Sequence, residues 1–378
     1  MRTKKVTALL LTAAMLTGMT VSGCGNKIND TATFATLDDT TITMGVANFC
    51  AKYEQAMYDS YYMAIFGENM WESDLYGNGN TMTQDVKDEI EEELQTLYLL
   101  QAHMDEYDIS VSEEEEAAIL KAADDFIAAN SKEAVKQIGA ENKDNVTELL
   151  RLRTIQNKMH NRIIEDADTE VTDEEAAQRS FSYVSVSTSG TTDADGNQVE
   201  YTEEEKADLK SAAQEVAKAE DFDAAAEAAG YTVSTASYGS AEDENATMDT
   251  AVLEAADALK EGEVSDVIET DSAYYVVRLD SEHDEEATAS KKEELISQKQ
   301  EDYYNDILDG WKEASKWTLN ESEWAKVTFE DHFAQPKQEE TESNEADAAD
   351  ESVTGTETAE AADDGAAESE SVTDTEAE

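Results

Sequence analysis

Basic residues are scarce in this sequence. Its 378 residues include 27 lysines and arginines against 89 aspartates and glutamates, which gives a formal net charge of −62. Binding to nucleic acid requires clusters of Lys and Arg that contact phosphates, so this balance excludes a nucleic-acid partner. The same charge repels anionic lipid and cell-wall surfaces, whereas cationic or unfolded polypeptides are electrostatically easier partners.

Cysteine and histidine are also rare, and this limits the chemistry available. If Cys24 is modified as argued below, Cys50 is the only thiol left, which excludes a disulfide framework and a Cys-rich metal site. Cys50 is then expected to be a small buried apolar residue. The sequence also lacks HExxH, GxGxxG, P-loop and GxSxG motifs, so neither a cofactor nor a metal ion is predicted. The scattered histidines are His103, His160, His283 and His332.

Long apolar runs are absent except at the start of the chain. A basic beginning precedes an apolar run over residues 6–21, which is too short to span a bilayer comfortably and ends in small residues, as a signal peptide does. Residues 21–24, Val-Ser-Gly-Cys, resemble the lipobox of bacterial lipoproteins, in which the Cys becomes the first mature residue and is acylated. Two acyl chains give stable attachment. The sequence therefore predicts lipid anchoring through Cys24 on the outer face of a cell membrane; the alternative is an ordinary secretory signal with an incidental Cys.

Helical signals fill the first half of the remaining chain. Residues 37–43 alternate like a short strand, and apolar residues then recur every fourth position. Ser112 and Thr172 each precede a Glu by three positions, which is the capping box that begins a helix. Helices are predicted over residues 49–65, 83–107, 112–129 and 145–166.

The pattern changes at Arg179. Strand-like runs and short helices alternate as far as residue 279, which indicates one compact α+β domain. The runs predicted as strands include residues 264–269. A long helix follows over residues 288–316. From Lys337 onward the chain has sixteen acidic residues, one Lys and no aromatic residue, so it cannot bury enough apolar surface to fold.

The predicted fold class is therefore α+β. N-terminal helices and one C-terminal helix form a mostly helical module, an α+β domain is inserted between them, and a disordered acidic tail follows. The predicted segments are a signal peptide (1–23), a linker (24–36), an N-terminal helical region (37–178), the inserted domain (179–284), the C-terminal helix (285–333) and the tail (334–378).

Several short motifs, taken in order, carry a family resemblance. They are L-D-D-T-T-I-T at 37–43, V-T-D-E-E at 171–175, A-E-D-F at 219–222, L-K-E-G-E-V-S at 259–265 and A-Y-Y-V-V-R-L at 273–279. In order and spacing they resemble the PrsA/SurA family of extracytoplasmic foldases, and the last three resemble its parvulin-type prolyl isomerase domain. The resemblance covers roughly residues 37–330. It implies a helical chaperone module around a parvulin-like domain, with unfolded or newly exported proteins as partners.

The departures from this family concern the isomerase site. Parvulin active sites resemble one another in two His residues on neighbouring strands, but the aligned positions here are Tyr183 and Tyr275. The Gly-rich segment of the family shrinks to residues 237–240. The resemblance therefore implies isomerase activity that is weak or lost. Either a shaped apolar pocket keeps weak activity, because isomerisation needs no covalent chemistry, or Tyr183 and Tyr275 merely fill the core of the sheet.

The leading functional hypothesis is a membrane-anchored foldase that receives exported polypeptides. One alternative is a holdase chaperone without isomerase activity. Another is a solute-binding lipoprotein, which has similar length and anchoring. That protein class would need repeated strand–helix alternation for two open α/β lobes, and the mostly helical first half argues against it.

Aromatic and Met side chains are dense over residues 53–76. They are too many for one inward-facing stripe, and a helix that is apolar around its circumference is either buried or presents a binding face. Met and Tyr suit adaptable contact with varied clients, and core packing is the alternative for part of the set. The candidate client-binding residues are Tyr53, Tyr58, Tyr61, Tyr62, Phe66, Met70 and Trp71.

Membrane attachment is predicted to depend on the Cys24 sulfur. The variant Cys24→Ala lacks the acyl acceptor, so the protein is expected in the soluble fraction or with an uncleaved leader. Cell fractionation and intact mass spectrometry measure both properties, with Cys50→Ala as the control that keeps the acceptor. Cleaved, lipid-free Cys24→Ala protein that stays on the membrane would contradict the prediction.

Overall fold

The computed structural model describes residues 17–18, 28–67, 69–192, 198–240 and 247–334. Cys24 and residues 335–378, which include nearly all of the predicted acidic tail, lie outside the described residues. Helices and antiparallel sheets occur together in the described part, so the predicted α+β fold class is confirmed. Within those ranges, no helix combines the length and apolar character needed to cross a bilayer.

The helices lie mainly before the inserted domain and directly after it. In chain order they are α1 (Met44–Phe66), α2 (Met82–Ala102), α3 (Glu113–Ala129), α4 (Lys132–Gln137), α5 (Lys143–Ile164), α6 (Asp173–Ala176), α7 (Glu203–Ala217), α8 (Phe222–Ala228), α9 (Thr250–Asp257), α10 (Glu285–Ala314) and α11 (Glu321–Trp324). Short 3-10 turns cover Met70–Glu72 and Met104–Tyr107.

The strands form two larger sheets and two short pairs. In chain order they are β1 (Thr17–Gly18), β2 (Thr33–Leu37), β3 (Thr40–Thr43), β4 (Arg179–Ser187), β5 (Thr191–Thr192), β6 (Gln198–Val199), β7 (Ser234–Tyr238), β8 (Ile268–Glu269), β9 (Ala273–Ser281), β10 (Trp317–Leu319) and β11 (Phe333–Ala334). The sheet orders are β10-β2-β3 and β7-β4-β9-β8, with β1-β11 and β5-β6 as pairs. β1 lies in the predicted signal peptide, so removal of the leader would remove that strand.

The prediction of one strand over residues 37–43 is wrong, because the chain forms a hairpin there. β2 begins at Thr33, inside the predicted linker, and the chain turns at Asp38 into β3. Asp38 has a φ of 49°, in the left-handed region that Asp tolerates better than most residues. The alternation of side chains continues on both sides of a tight turn, so this sequence pattern does not reveal that the chain reverses its direction. β10 then pairs with the other edge of β2.

Capping and apolar periodicity build the helical module. Thr81 and Ser112 begin α2 and α3 with capping boxes, as predicted for Ser112. Buried side chains recur along α2 at helical spacing and pack with α1, α3 and α5 in one core. Cys50 is fully buried in this core. Burial raises the pKa of the Cys50 thiol, as expected for an unreactive structural cysteine.

Only the first part of the predicted apolar stripe on α1 faces this core. Phe49 is fully buried and Tyr53 nearly so, but Tyr61 and Ile65 are exposed. The last buried residue of α1 is Asp59. The helix was predicted correctly, and its last turns are exposed because α1 continues beyond the elements that cover it.

The inserted domain is built on the sheet β7-β4-β9-β8, with helices on both faces. Alternate residues of β4 and β9 point to opposite faces. Phe181, Val277 and Leu279 pack with α9, whereas Val184 and Val276 pack with α7 and α8. Each face therefore has its own small core.

The edges of the inserted domain differ partly from the prediction. The strand predicted over 264–269 is reduced to β8 at its end, and Val264 forms only an isolated bridge to Arg278.

At the base of the domain, Asp284 N donates to Gln178 O over 2.8 Å, and Gln178 N donates to Thr288 Oγ1 over 3.0 Å. The chain thus enters and leaves the domain at the same place.

Helix α10 returns the chain to the helical module. Tyr304 and Leu308 are buried in a cluster with side chains of α2 and α5. Near the end of α10, Trp311 stacks on His103, with ring centroids 4.0 Å apart and an interplanar angle of 3°. His160 meets the ring of Tyr304 edge-on at 4.7 Å. These contacts hold the returning helix along its length.

Residues 320–334, here named the C-terminal strap, fold back over α1 and α2. The side chains of Trp324, Val327, Phe329 and Phe333 are buried there in the main core. The ring of Phe329 lies 4.5 Å from that of Trp71. The strap therefore completes the core of the N-terminal region from the other end of the chain.

The main chain of the strap is mostly irregular, so its buried carbonyls need partners from elsewhere. Gln55 Nε2 donates to Asp331 O over 2.8 Å and to Phe329 O over 3.3 Å. Lys87 Nζ donates to the carbonyls of Trp324 and Val327, at 2.8 and 3.1 Å. Side chains of α1 and α2 thus replace the hydrogen bonds that a helix or sheet would supply.

The Gln55 side chain, which is fully buried, is predicted to be essential for this contact. Gln55→Leu removes the Gln55 donor from the carbonyl of Phe329 and leaves the carbonyl of Asp331 only the longer hydrogen bond from Gln137 Nε2 at 3.4 Å. It also removes the Gln55 Oε1 acceptor of Lys52 Nζ at 2.8 Å. An unsatisfied buried polar group costs about 1–3 kcal/mol, so the free energy of unfolding in urea should fall by that amount. Gln298→Leu, on an exposed position of α10, is the control and should stay within about 0.5 kcal/mol. Equal stabilities of the two variants would contradict the prediction.

Candidate functional site

Tyr183 and Tyr275 lie side by side in the inserted domain. Tyr183 on β4 is opposite Val277, and Tyr275 on β9 is opposite Ser185. The two tyrosines are therefore diagonal neighbours on one face of the sheet. Their ring centroids are 6.1 Å apart, with an interplanar angle of 42°. The structure brings together the two positions that the resemblance aligned with the parvulin His pair.

The two rings belong to a longer aromatic surface, named here the tyrosine face and made of Phe181, Tyr183, Tyr238 and Tyr275. Phe181 lies 5.8 Å from Tyr183 and 5.5 Å from Tyr238, measured between ring centroids. Phe181 and Tyr238 are buried under α9, whereas Tyr183 and Tyr275 are half-buried. The half-buried end of the tyrosine face is the part that a ligand could reach.

Polar side chains form hydrogen bonds with one another at the buried end of the tyrosine face. Tyr238 Oη donates to Asp257 Oδ1 over 2.8 Å, and Arg179 Nη1 donates to the same oxygen over 3.0 Å. Burial raises the pKa of Tyr238, and the hydrogen bond to Asp257 raises it further, so its hydroxyl stays protonated. The sequence motifs did not indicate Arg179 or Asp257, because neither lies in the segments that carry the resemblance.

The tyrosine face offers a ligand two kinds of contact, packing against aromatic rings and hydrogen bonds. Its aromatic rings can enclose an apolar group, and its phenol hydroxyls can donate hydrogen bonds to a neighbouring carbonyl oxygen. In the described residues, no group of three or more His, Cys, Asp or Glu side chains is arranged to hold a metal ion.

Comparison with known proteins gives a match for the inserted domain. The family of PPIC-type PPIase domains matches residues 191–302. The inserted domain belongs to this parvulin-type family. The match confirms the predicted resemblance; it includes Tyr275 and begins after β4, so that Tyr183 precedes it. No curated protein matches the chain.

The chain is also similar to several solved foldase structures at low sequence identity. Foldase protein PrsA from Lactococcus lactis is 14% identical, with a TM-score of 0.33, over 79% of this chain and 98% of that one. PrsA from Bacillus cereus, a peptidylprolyl isomerase, is 14% identical, with a TM-score of 0.28, over 68% and 97%. A SurA-like chaperone of Campylobacter jejuni is 13% identical, with a TM-score of 0.26, over 76% and 98%.

A second candidate site lies at the end of α1 and is named here the aromatic tip: Tyr61, Tyr62, Ile65, Phe66 and Tyr76. These side chains are 65%, 44%, 70%, 50% and 63% exposed, respectively. The helix ends at Gly67, whose φ of 82° favours glycine. Because so many large apolar side chains are exposed in one region, the aromatic tip is a candidate interaction site.

The aromatic tip is continuous with the core through a ladder of rings. Tyr58, Tyr62 and Phe66 follow at spacings of four residues, with centroids 5.6 and 6.3 Å apart. Tyr58 in turn lies 5.7 Å from Trp71. Burial raises the pKa of Tyr58 to about 12, so the Tyr58 hydroxyl stays uncharged near neutral pH.

The predicted client-binding residues divide between this tip and the core. Tyr53, Met70 and Trp71 are buried, and Trp71 Nε1 donates to Asp59 Oδ1 over 2.8 Å, so these three support the fold. Tyr58 is half-buried. Tyr61, Tyr62 and Phe66 are exposed, while Ile65 and Tyr76 were missing from the predicted set. The density of aromatic residues indicated the region, but only the tertiary contacts separate the buried residues from the exposed ones.

Proposed function

We propose that this protein is an exported, lipid-anchored foldase whose helical module holds unfolded polypeptides. The observation that carries the proposal is the aromatic tip, where large apolar side chains remain exposed in a protein of formal net charge −62. Such side chains gain free energy when an unfolded segment covers them. The parvulin-type domain next to this module supports the same role.

The proposed mode of client binding is adaptable apolar contact. Aromatic rings on the last turns of α1 offer area without a fixed hydrogen-bond pattern, so many sequences can be accommodated. The acidic surface speeds encounters with cationic clients, and that contribution decreases with salt. Lipid on Cys24, four residues before Ile28, would keep the module close to the membrane from which clients emerge.

The isomerase activity of the inserted domain is proposed to be weak or lost. Rotation about the peptide bond has a barrier of about 18–20 kcal/mol, which a site lowers by favouring the twisted amide. The tyrosine face can enclose a prolyl ring, but Tyr183 and Tyr275 replace the His pair of the family. A holdase without isomerase activity is the alternative, supported by the packing of both tyrosines against the core under α9.

The client-binding proposal is tested by aggregation of a denatured client in the presence of the mature chain. In the triple variant Tyr61→Ser, Tyr62→Ser, Phe66→Ser, about tenfold more protein should be needed for equal suppression, since loss of about 1.4 kcal/mol of apolar contact gives that factor. The effect should be equal at low and high salt. Leu120→Ser with Val199→Ser, two exposed apolar residues elsewhere, is the control and should behave like the unmodified protein.

The outcome that opposes this proposal is also measurable. Suppression that survives the triple variant but disappears at high salt would assign client binding to the acidic surface instead. Circular dichroism should show equal melting temperatures for the triple variant, the control and the parent, because exposed substitutions change stability by less than about 0.5 kcal/mol.

The isomerase proposal is tested by the cis–trans rate of a proline-containing tetrapeptide. The unmodified chain is expected to accelerate the isomerisation little. Without a catalyst this reaction takes tens of seconds. Tyr183→His should not restore activity, because Tyr275 and the shortened 237–240 segment remain. Tyr274→His, on the opposite face of β9, is the matched control. Rapid isomerisation by the unmodified chain would refute this part of the proposal.

A further inference from the structure

The outer edge of β3 is open in the part of the chain that the structure describes. β3 is the last strand of the sheet β10-β2-β3. Main-chain groups of successive residues point to opposite sides of a strand. Phe34 O accepts from Asn320 N, and Asp38 N donates to Lys316 O, so even-numbered residues of β2 point towards β10 and odd-numbered ones towards β3.

This alternation fixes the direction of the main-chain groups in β3. Leu37 and Ala35 point towards β3 and are opposite Thr40 and Ile42, which therefore bond to β2. Thr41, between them, directs its N–H and C=O to the open edge. Its side chain is exposed. An unpaired edge of this kind is a template for an incoming strand.

A cavity of about 560 Å³ lies beside this edge. β3 contributes Thr40, Thr41 and Thr43 to its lining, and the first turns of α5 contribute Thr147. Thr147 is only 6% exposed, and its Oγ1 is buried without a hydrogen-bond partner among the described residues. A buried hydroxyl without a partner is unfavourable, and a ligand that enters the cavity could supply the missing hydrogen bond.

The charged side chains in the lining determine which charge of ligand the cavity favours. The lining contains three carboxylates, those of Asp30, Asp144 and Glu148, and one basic residue, Arg151. The Arg151 guanidinium is already engaged, since Nη1 donates to Glu148 over 2.6 Å and Nη2 pairs with Glu116. The cavity is therefore negative overall and favours a positively charged occupant.

We propose that the β3 edge and this cavity form a second polypeptide site, which takes an extended, basic segment of a client by strand addition. The main chain of the segment pairs with Thr41, and its Lys or Arg side chains meet the carboxylates of the cavity. The acidic tail of the chain itself does not fit, because its charge has the same sign. The inference deepens the proposed function: the aromatic tip binds side chains, and the β3 edge binds main chain.

The test measures fluorescence anisotropy of a labelled ten-residue peptide of alternating Lys and Thr, titrated with the full mature chain. Thr41→Pro removes the outward N–H, which an edge strand tolerates, and should weaken binding about tenfold or more, since a lost hydrogen bond and a steric conflict act together. Thr41→Val keeps the main chain and should bind within about twofold. Both variants keep the net charge, so any unspecific attraction of the peptide to the acidic protein stays the same.

Thr147→Val gives an independent measurement if Thr41→Pro fails to fold. It removes a hydroxyl that has no partner, so the melting temperature should stay equal or rise, while peptide binding should weaken about two- to tenfold. Wild-type affinity in both Thr147→Val and a folded Thr41→Pro would overturn the inference. So would equal binding of a Glu–Thr peptide, or binding that occurs only after truncation at Ala334, which would identify the tail as the occupant.

These results are separate from those that test the aromatic tip. If the triple tip variant keeps full suppression of aggregation, the proposed function fails, whatever the peptide measurements show. If suppression of aggregation depends on the aromatic tip but the substitutions of Thr41 and Thr147 leave the affinity for the Lys–Thr peptide unchanged, only the second site is refuted.

Discussion

The structure depends on the hydrogen bonds that α1 and α2 make to the main chain of the C-terminal strap. A buried segment without regular structure cannot pair its own carbonyls, so Gln55 and Lys87 pair them instead. The rings of Phe329 and Phe333 then fill the core that the first helices leave open. With β10 paired to β2, the first and last elements of the helical module pack together, and everything between α6 and α10 becomes an insertion.

This closure separates the aromatic tip and the β3 edge, the two surfaces proposed to bind clients, from the inserted domain. The strap covers α1 as far as Asp59, which accepts the N–H of Phe333 over 2.8 Å, and the last two turns of α1 continue into solvent. The inserted domain, joined at Gln178 and Asp284, has separate cores on the two faces of its sheet. Its tyrosine face can therefore change in chemistry without disturbing the helical module.

Sequence resemblance was sufficient to predict that Tyr183 and Tyr275 are neighbours, because each lies in a strand that the sequence predicts and Tyr275 also lies in a family motif. It did not reveal the group of Tyr238, Asp257 and Arg179, whose members come from β7, α9 and β4 and meet only when the sheet forms. The same limit applies to the β3 edge. Alternation predicted a strand at residues 37–43, but the turn at Asp38, which creates both the hairpin and its open edge, carries no glycine or proline signal.

The sequence by itself determined the helices with their capping boxes, the strands of the inserted domain, the parvulin resemblance and the strong negative charge. These features are local or compositional, so neighbouring residues are enough to specify them. Only the tertiary structure decided which apolar side chains are buried: Trp71 lies in the core and Tyr61 in solvent, although both belong to the same aromatic stretch. Periodicity shows that a helix has an apolar face, but whether that face is covered depends on segments such as the C-terminal strap, which come from the other end of the chain.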